Sequence, residues 1–218
     1  MQDNNKNTEN ADIVTLKTHK GTIKCLTVIG TVEGHSLSSG QTKTTKYEHV
    51  LPQLVSIEED DEVSGLLVLL NTVGGDVEAG LAISEMIAGM SKPSVSLVLG
   101  GGHSIGIPLA VSADLSYIAP SATMTVHPMR TNGMVIGVSQ SFEYMKRMQN
   151  CITDFVVEHS HITEEKYKEL MLATDRIAND VGTVLFGKNA VDCGLIDYVG
   201  TLRDALDSLG ELIDKKQK

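Results

Sequence analysis

Leu66-Leu67-Val68-Leu69-Leu70-Asn71-Thr72-Val73-Gly74-Gly75 is an aliphatic run that breaks into a glycine-rich turn. An uninterrupted apolar stretch of this length suits a strand buried on both faces, as at the centre of a parallel sheet. Val77 to Met90 follows with Leu81, Ile83, Met86 and Ile87 directed inward at helical spacing, so the unit reads strand, turn, helix. A second such unit comes next: Val95 to Leu99, the turn Gly102-His103-Ser104-Ile105-Gly106, and a helix from Ile107 to Ala113. Leu115 to Ile118 and Thr123 to Val126 are further strands, the last ending at His127. Upstream, Ile23 to Ile29 is a β-branched strand closed by Gly30. Gly34 to Tyr47 reads as a polar loop and His49 to Ile57 as a helix. Strands alternating with helices predict an α/β layer architecture with right-handed crossovers.

The chain has 218 residues, of which 41% are hydrophobic, enough for a sizeable core in one domain. Residues 1–20 read as a flexible polar tail, 21–210 as the domain and 211–218 as a polar end. Trp is absent and aromatics are 4%, so the core must be aliphatic. A net charge of −10 argues against nucleic-acid binding, which needs a concentrated basic face. Cys25, Cys151 and Cys193 have neither metal-site spacing nor the even count of a disulfide framework. Neither a secretory signal nor a transmembrane segment is visible, which predicts a cytoplasmic protein. Phe142, Met145, Met148, Ile152, Phe155 and Val156 recur at three and four, giving a long amphipathic helix. That stripe suits either packing on its own domain or an oligomer interface. Thr163 is a helix N-cap ahead of Glu164.

The candidate chemistry gathers at the turns. Ser104 sits in a Gly-x-Ser-x-Gly turn, a spacing that presents a nucleophile where the backbone bends sharply. Gly74-Gly75 lies between a strand and a helix, where backbone amides can face a developing oxyanion. A phosphate site is disfavoured because Asp76 follows and no Gly-x-Gly-x-x-Gly pattern is present. His127 is the candidate general base; His103, beside the serine, is the weaker one. Asp175, Asp180, Asp192 and Asp197 could each complete a relay. His159 and His161 lack the neighbours of a metal site, and neither metal nor cofactor is expected.

The order of these parts resembles the proteolytic subunits of the Clp protease family. That family has a strand ending in Asn-Ser-Pro-Gly-Gly, a Gly-x-x-Ser-Met-Gly turn, a strand ending in His, and a late Ala-Val-x-x-Gly-Leu-Val-Asp segment. Here they correspond to Asn71 to Gly75, Gly102 to Gly106, Val126-His127-Pro128, and Ala190-Val191-Asp192-Cys193-Gly194-Leu195-Ile196-Asp197. The likeness covers about residues 22–200. Cys25 to His35, Lys43 to His49 and Val181 to Leu185 look like the translocation-enhancing (TepA-type) branch. The resemblance implies a ClpP/crotonase-like fold, a spiral of ββα units with a protruding handle at about 133–160 through which rings pair. It implies Ser104 as nucleophile, His127 as base, and the amides of Gly75 and Ile105 as oxyanion hole. An ungapped count places the family's aspartate at Gly182; a two-residue insertion selects Asp180, with Asp175 second. The family's Pro before Gly-Gly is Val73 here, and its His-Gln-Pro is His127-Pro128.

A serine endopeptidase acting on peptides or unfolded chains inside a homo-oligomeric chamber is therefore expected, with seven-membered rings as the family's usual form. An AAA+ unfoldase would be a separate chain. Two alternatives come from other classes. One is a catalytically impaired scaffold acting in translocation; the other is an acyl-CoA-processing crotonase relative, for which Glu78 has no matching carboxylate at the Ser104 turn.

Overall fold

The structure, a computed structural model, describes residues 13–36, 38–131, 133, 136–175 and 181–216. The first half of the chain forms β1 (Ile13–Thr18), β2 (Gly21–Glu33), β3 (Thr44–Lys46), α1 (Tyr47–Glu59), β4 (Val63–Gly75), α2 (Val77–Ala88), β5 (Ser94–Gly102) and α3 (Gly106–Val111). The second half forms β6 (Leu115–Ile118), β7 (Thr123–Val126), α4 (Val138–Glu158), α5 (Glu164–Leu172), β8 (Thr183–Phe186), α6 (Gly187–Asp192), β9 (Tyr198–Val199) and α7 (Leu202–Lys216). The main path of the sheet runs β1-β2-β4-β5-β6-β9, with β2, β4, β5 and β6 parallel. The expected α/β architecture is observed, with two antiparallel additions: β1 on β2, and β8 on β7.

β4 shows why its sequence is apolar without a break. Leu66, Val68 and Leu70 join the larger core with α1, α2 and α3, whereas Leu67 joins a second core on the opposite face. Alternate side chains of a strand point to opposite faces, so a two-sided core demands apolar residues at every position. Each such side chain, removed fully from water, stabilises the fold by about 1.5–3 kcal/mol.

The second core changes two expectations about the ends of the chain. Residues 13–18, assigned to an amino-terminal tail, form β1 and pair with β2 from Ile13↔Leu26 to Thr18↔Gly21. The remaining tail residues before Ile13 lie outside the described residues. Residues 211–216, assigned to a polar end, continue α7, whose Ala205, Leu209 and Ile213 are buried against Leu67, Val95 and Leu97. Both ends are polar on one face only, and the partner surface comes from distant sequence. The polar loop at 34–47 likewise contains β3, held parallel to β2 by Thr31↔Thr44 to Glu33↔Lys46.

The amphipathic stripe after residue 140 divides in two. Ile152, Phe155 and Val156 of α4 are buried in the domain, while Phe142 and Tyr144 near its amino end are 60% and 53% exposed. The carboxyl half of the helix packs on its own chain, and the amino half stands clear as a handle would. No strand precedes α4 among the described residues of the handle region. Tyr144 donates to Glu78 Oε1 at 2.6 Å, tying the projecting half to the start of α2.

Candidate active site

The end of β4 brings three chain segments together through groups that lack side chains or bond to backbone. Gly74 has φ +92°, and a Cβ there would lie 2.7 Å from Ser104 Cβ. Gly75 has φ +154°, and a Cβ there would lie 2.1 Å from the Val32 carbonyl oxygen. Thr72 fixes the approach by donating to Gly30 O at 2.6 Å and accepting from Gly74 N at 3.0 Å. Asp76 then caps α2, accepting from Ala79 N at 2.8 Å. Asp76 is therefore a helix cap, which agrees with its poor fit to a phosphate site.

Ser104 occupies the connection between β5 and α3 with φ +56°, the one non-glycine residue with positive φ among the described residues. A serine with its Cβ in this region is held there by its surroundings and carries local strain, the geometry of a nucleophile on a sharp elbow. The surroundings are specific. Ser104 N–H donates to Thr125 O at 3.0 Å, and the serine's own carbonyl accepts from Ile107 N at 3.0 Å. The amide of Ile105 has no acceptor among the described residues.

Thr125 belongs to β7, and His127 directly follows the last residue of that strand. His127 Nδ1 lies 2.7 Å from the carbonyl oxygen of Pro128. A carbonyl only accepts, so Nδ1 carries the proton and Nε2 of the neutral ring keeps its lone pair. This is the tautomer a general base needs.

Gly75, Ser104, Ile105 and His127 all line one cavity of about 120 Å³. Its walls also include Met129, Ile152 and Tyr167, with Arg130 among the lining residues. The structure thus gathers four of the five expected site residues. The fifth, Asp180, lies outside the described residues. Asp175, the second choice, follows α5 and is exposed. Gly182, the ungapped position of the carboxylate, packs directly behind the base: a Cβ there would lie 2.4 Å from Val126 O and 2.9 Å from His127 Cβ. Asp192 is occupied by Lys188, and Asp197 accepts from Ser116 N at 2.7 Å. Among the described residues no group of three or more His, Cys, Asp or Glu is arranged for a metal ion.

His103 is the group whose role the sequence did not disclose. Its Nδ1 lies 2.8 Å from Thr125 Oγ1, so the residues on either side of the His103–Ser104 peptide bond both bind Thr125. Burial, and secondarily the positive charge of a protonated His127, hold the His103 imidazole below its ordinary range. In the unfolded chain His103 protonates first as pH falls, so the unfolded state binds more protons and loses free energy relative to the native state. Stability conferred by neutral His103 is thus present above about pH 6.5 and declines below it. The ring is only partly buried, so the slope stays well under the one-proton limit of about 1.4 kcal/mol per pH unit. Urea midpoints between pH 8 and 5 should show this decline, and His103→Asn, which keeps a polar partner for Thr125, should flatten it. An unchanged pH slope in the variant contradicts the assignment.

A Clp protease family profile matches residues 26–203, most of the chain. The chain belongs to the Clp protease family. It is 58% identical over 195 residues to the translocation-enhancing protein TepA of Halalkalibacterium halodurans, covering 89% of this chain and 76% of that one. It is 24% identical over 151 residues to the ATP-dependent Clp protease proteolytic subunit of Leuconostoc citreum, covering 68% of each chain. A solved structure of a ClpP1 mutant from Listeria monocytogenes superposes with a TM-score of 0.67 at 19% identity, covering 84% of this chain and 94% of that one. The fold is therefore ClpP-like, and the branch is TepA-like. No helix among the described residues is long and apolar enough to cross a membrane.

Proposed function

We propose that this Clp family member is a serine peptidase whose nucleophile is Ser104. The observation that supports it most is the positive φ of Ser104 on a turn whose cavity also receives His127, Gly75 and Ile105. In this reading Ser104 Oγ attacks the scissile carbonyl carbon while its proton passes to His127 Nε2. The carbonyl oxygen becomes an oxyanion that accepts from the amides of Gly75 and Ile105. The imidazolium returns the proton to the departing amine, leaving an acyl-serine that water hydrolyses with His127 again as base. Pro128 O already fixes the ring tautomer, so a carboxylate is left the task of stabilising the imidazolium. Asp180 is assigned that task and Asp175 is the alternative.

The assembly follows from the family. The projecting half of α4 joins rings of identical subunits, and the substrates are peptides and unfolded chains small enough to enter the chamber. A separate AAA+ unfoldase delivers longer chains, in the cytoplasm. The name of the Halalkalibacterium relative points to protein translocation as the setting. A second reading, a scaffold without peptidase activity, draws support from the glycine at position 182, where the family's carboxylate falls by direct count.

The test is covalent labelling of the full chain by a fluorophosphonate. The expected result is one adduct, on Ser104, lost in Ser104→Ala and slowed by about 10²–10⁴ in His127→Ala. Asp180→Asn should slow labelling more than Asp175→Asn. No adduct on Ser104, or equal labelling of Ser104→Ala, rejects the peptidase and leaves the scaffold.

A further inference from the structure

Tyr167 is the one polar side chain of the cavity that is both deeply buried and without a partner. It is 2% exposed, sits on α5 among Leu170 and Met171, and lines the cavity that holds Ser104 and His127. Its phenol makes no side-chain hydrogen bond among the described residues, and burial raises its pKa above the ordinary phenol range, so the group stays protonated. No side-chain polar atom of the described residues is both fully enclosed and unpartnered. The Tyr167 hydroxyl therefore opens on the cavity instead of the packed core.

Beside the polar groups of Ser104, His127 and Arg130, much of the wall is aliphatic. Ile105 and Ile107 come from the nucleophile turn and α3, Met129 from the segment after His127, and Ile152 from α4. A volume of about 120 Å³ equals roughly four waters at about 30 Å³ each, the bulk of a four- or five-atom side chain. An apolar side chain filling this space strips water from the hydroxyl and gives nothing back, which is the costly case for a buried donor. A side chain with an apolar stem and an uncharged hydrogen-bonding end meets both walls and hydroxyl. A cationic end would face the positive charge of Arg130 in the lining, and an anionic end would have to draw Arg130 away from the interaction it already makes, so an uncharged end costs least.

We propose that Tyr167 is a specificity-determining residue, its phenol selecting substrates whose residue on the acyl side of the scissile bond is uncharged, polar-tipped and about glutamine-sized. This rests on Ser104 being the nucleophile. Tyr167 takes no part in proton transfer; it orients the acyl residue so that the carbonyl lies between Ser104 and the two amides.

The experiment uses two aza-peptide phenyl esters that differ only at the reacting position, aza-glutamine against aza-norleucine, with the full chain. Intact mass reads the rate of Ser104 acylation, so turnover is not required. In the wild type the aza-glutamine ester should react at least about tenfold faster, the size of discrimination one unmet buried hydrogen bond produces. Tyr167→Phe keeps the ring and should bring the two rates to within about twofold, mainly by speeding aza-norleucine. Equal rates in the wild type, or a preference that survives Tyr167→Phe, overturn this assignment while acylation itself upholds the serine peptidase. Failure of Ser104 to react with both esters and with a fluorophosphonate overturns the peptidase reading and this assignment with it.

Discussion

Gly75→Ala is expected to slow fluorophosphonate labelling of Ser104 by about 10²–10³, the effect of removing one oxyanion donor. The cause is steric and can be followed atom by atom. The new Cβ would stand 2.1 Å from Val32 O and 2.7 Å from Val32 N, both backbone atoms of β2. Neither can turn aside like the end of a flexible side chain. Relief requires the end of β4 to move off β2, where Val32 pairs with Gly75 and Val32 O also accepts from Asp76 N at 2.9 Å. That movement swings the amide of residue 75 away from the cavity and loosens the first turn of α2, which Asp76 caps. The φ of +154° adds strain for any residue with a Cβ, and the combined loss of stability should be about 2–4 kcal/mol. Gly40→Ala is the matching control: its Cβ meets nothing within 4 Å, so labelling and urea midpoint should stay as in the wild type. Normal labelling of a folded Gly75→Ala would remove this glycine from the oxyanion hole.

The same glycine illustrates what was legible in the sequence. Strand, turn and helix follow one another locally around Gly75 and Ser104, and the two glycines mark the place where backbone must approach backbone. Periodicity alone could read these units. β1 and the end of α7 were hidden because their apolar faces are narrow and their partners are distant: Ile13 meets Leu26, and Leu209 meets Leu67 through the second core. Tyr167 is hidden for another reason. Its spacing with Leu170 and Met171 identifies a buried helix face, but a pattern cannot say that one position on that face opens on a cavity. His103 was visible only as a neighbour of Ser104; its bond to Thr125 depends on how β7 docks beside β5. The carboxylate is hardest because its position depends on an insertion count, and a shift of two residues exchanges Gly182 for Asp180.

Gly182→Ala is the second substitution with a large expected effect, and it acts on the base instead of the oxyanion hole. Gly182 has φ +132°, and its absent side chain would meet Val126 O at 2.4 Å and His127 Cβ at 2.9 Å. The segment cannot retreat freely, because Gly182 N donates to Ala173 O at 2.7 Å and Thr183 pairs with Val126 in the β7–β8 ladder. Any side chain at position 182 pushes on His127, so glycine fits here and a carboxylate for the imidazolium must come from another position. Labelling should slow by about 10²–10⁴, the contribution of a positioned general base. Stability should fall by about 1–3 kcal/mol for the strained backbone. A double-mutant cycle separates displacement of the base from general damage. In the His127→Ala background the imidazole is already gone, so adding Gly182→Ala should slow labelling by less than about threefold further. Full additivity of the two losses would mean that Gly182 serves the site by some route other than His127. Near-complete masking would show that the close approach of Gly182 to β7 serves to aim one imidazole, leaving to Asp180 the stabilisation of its charged form.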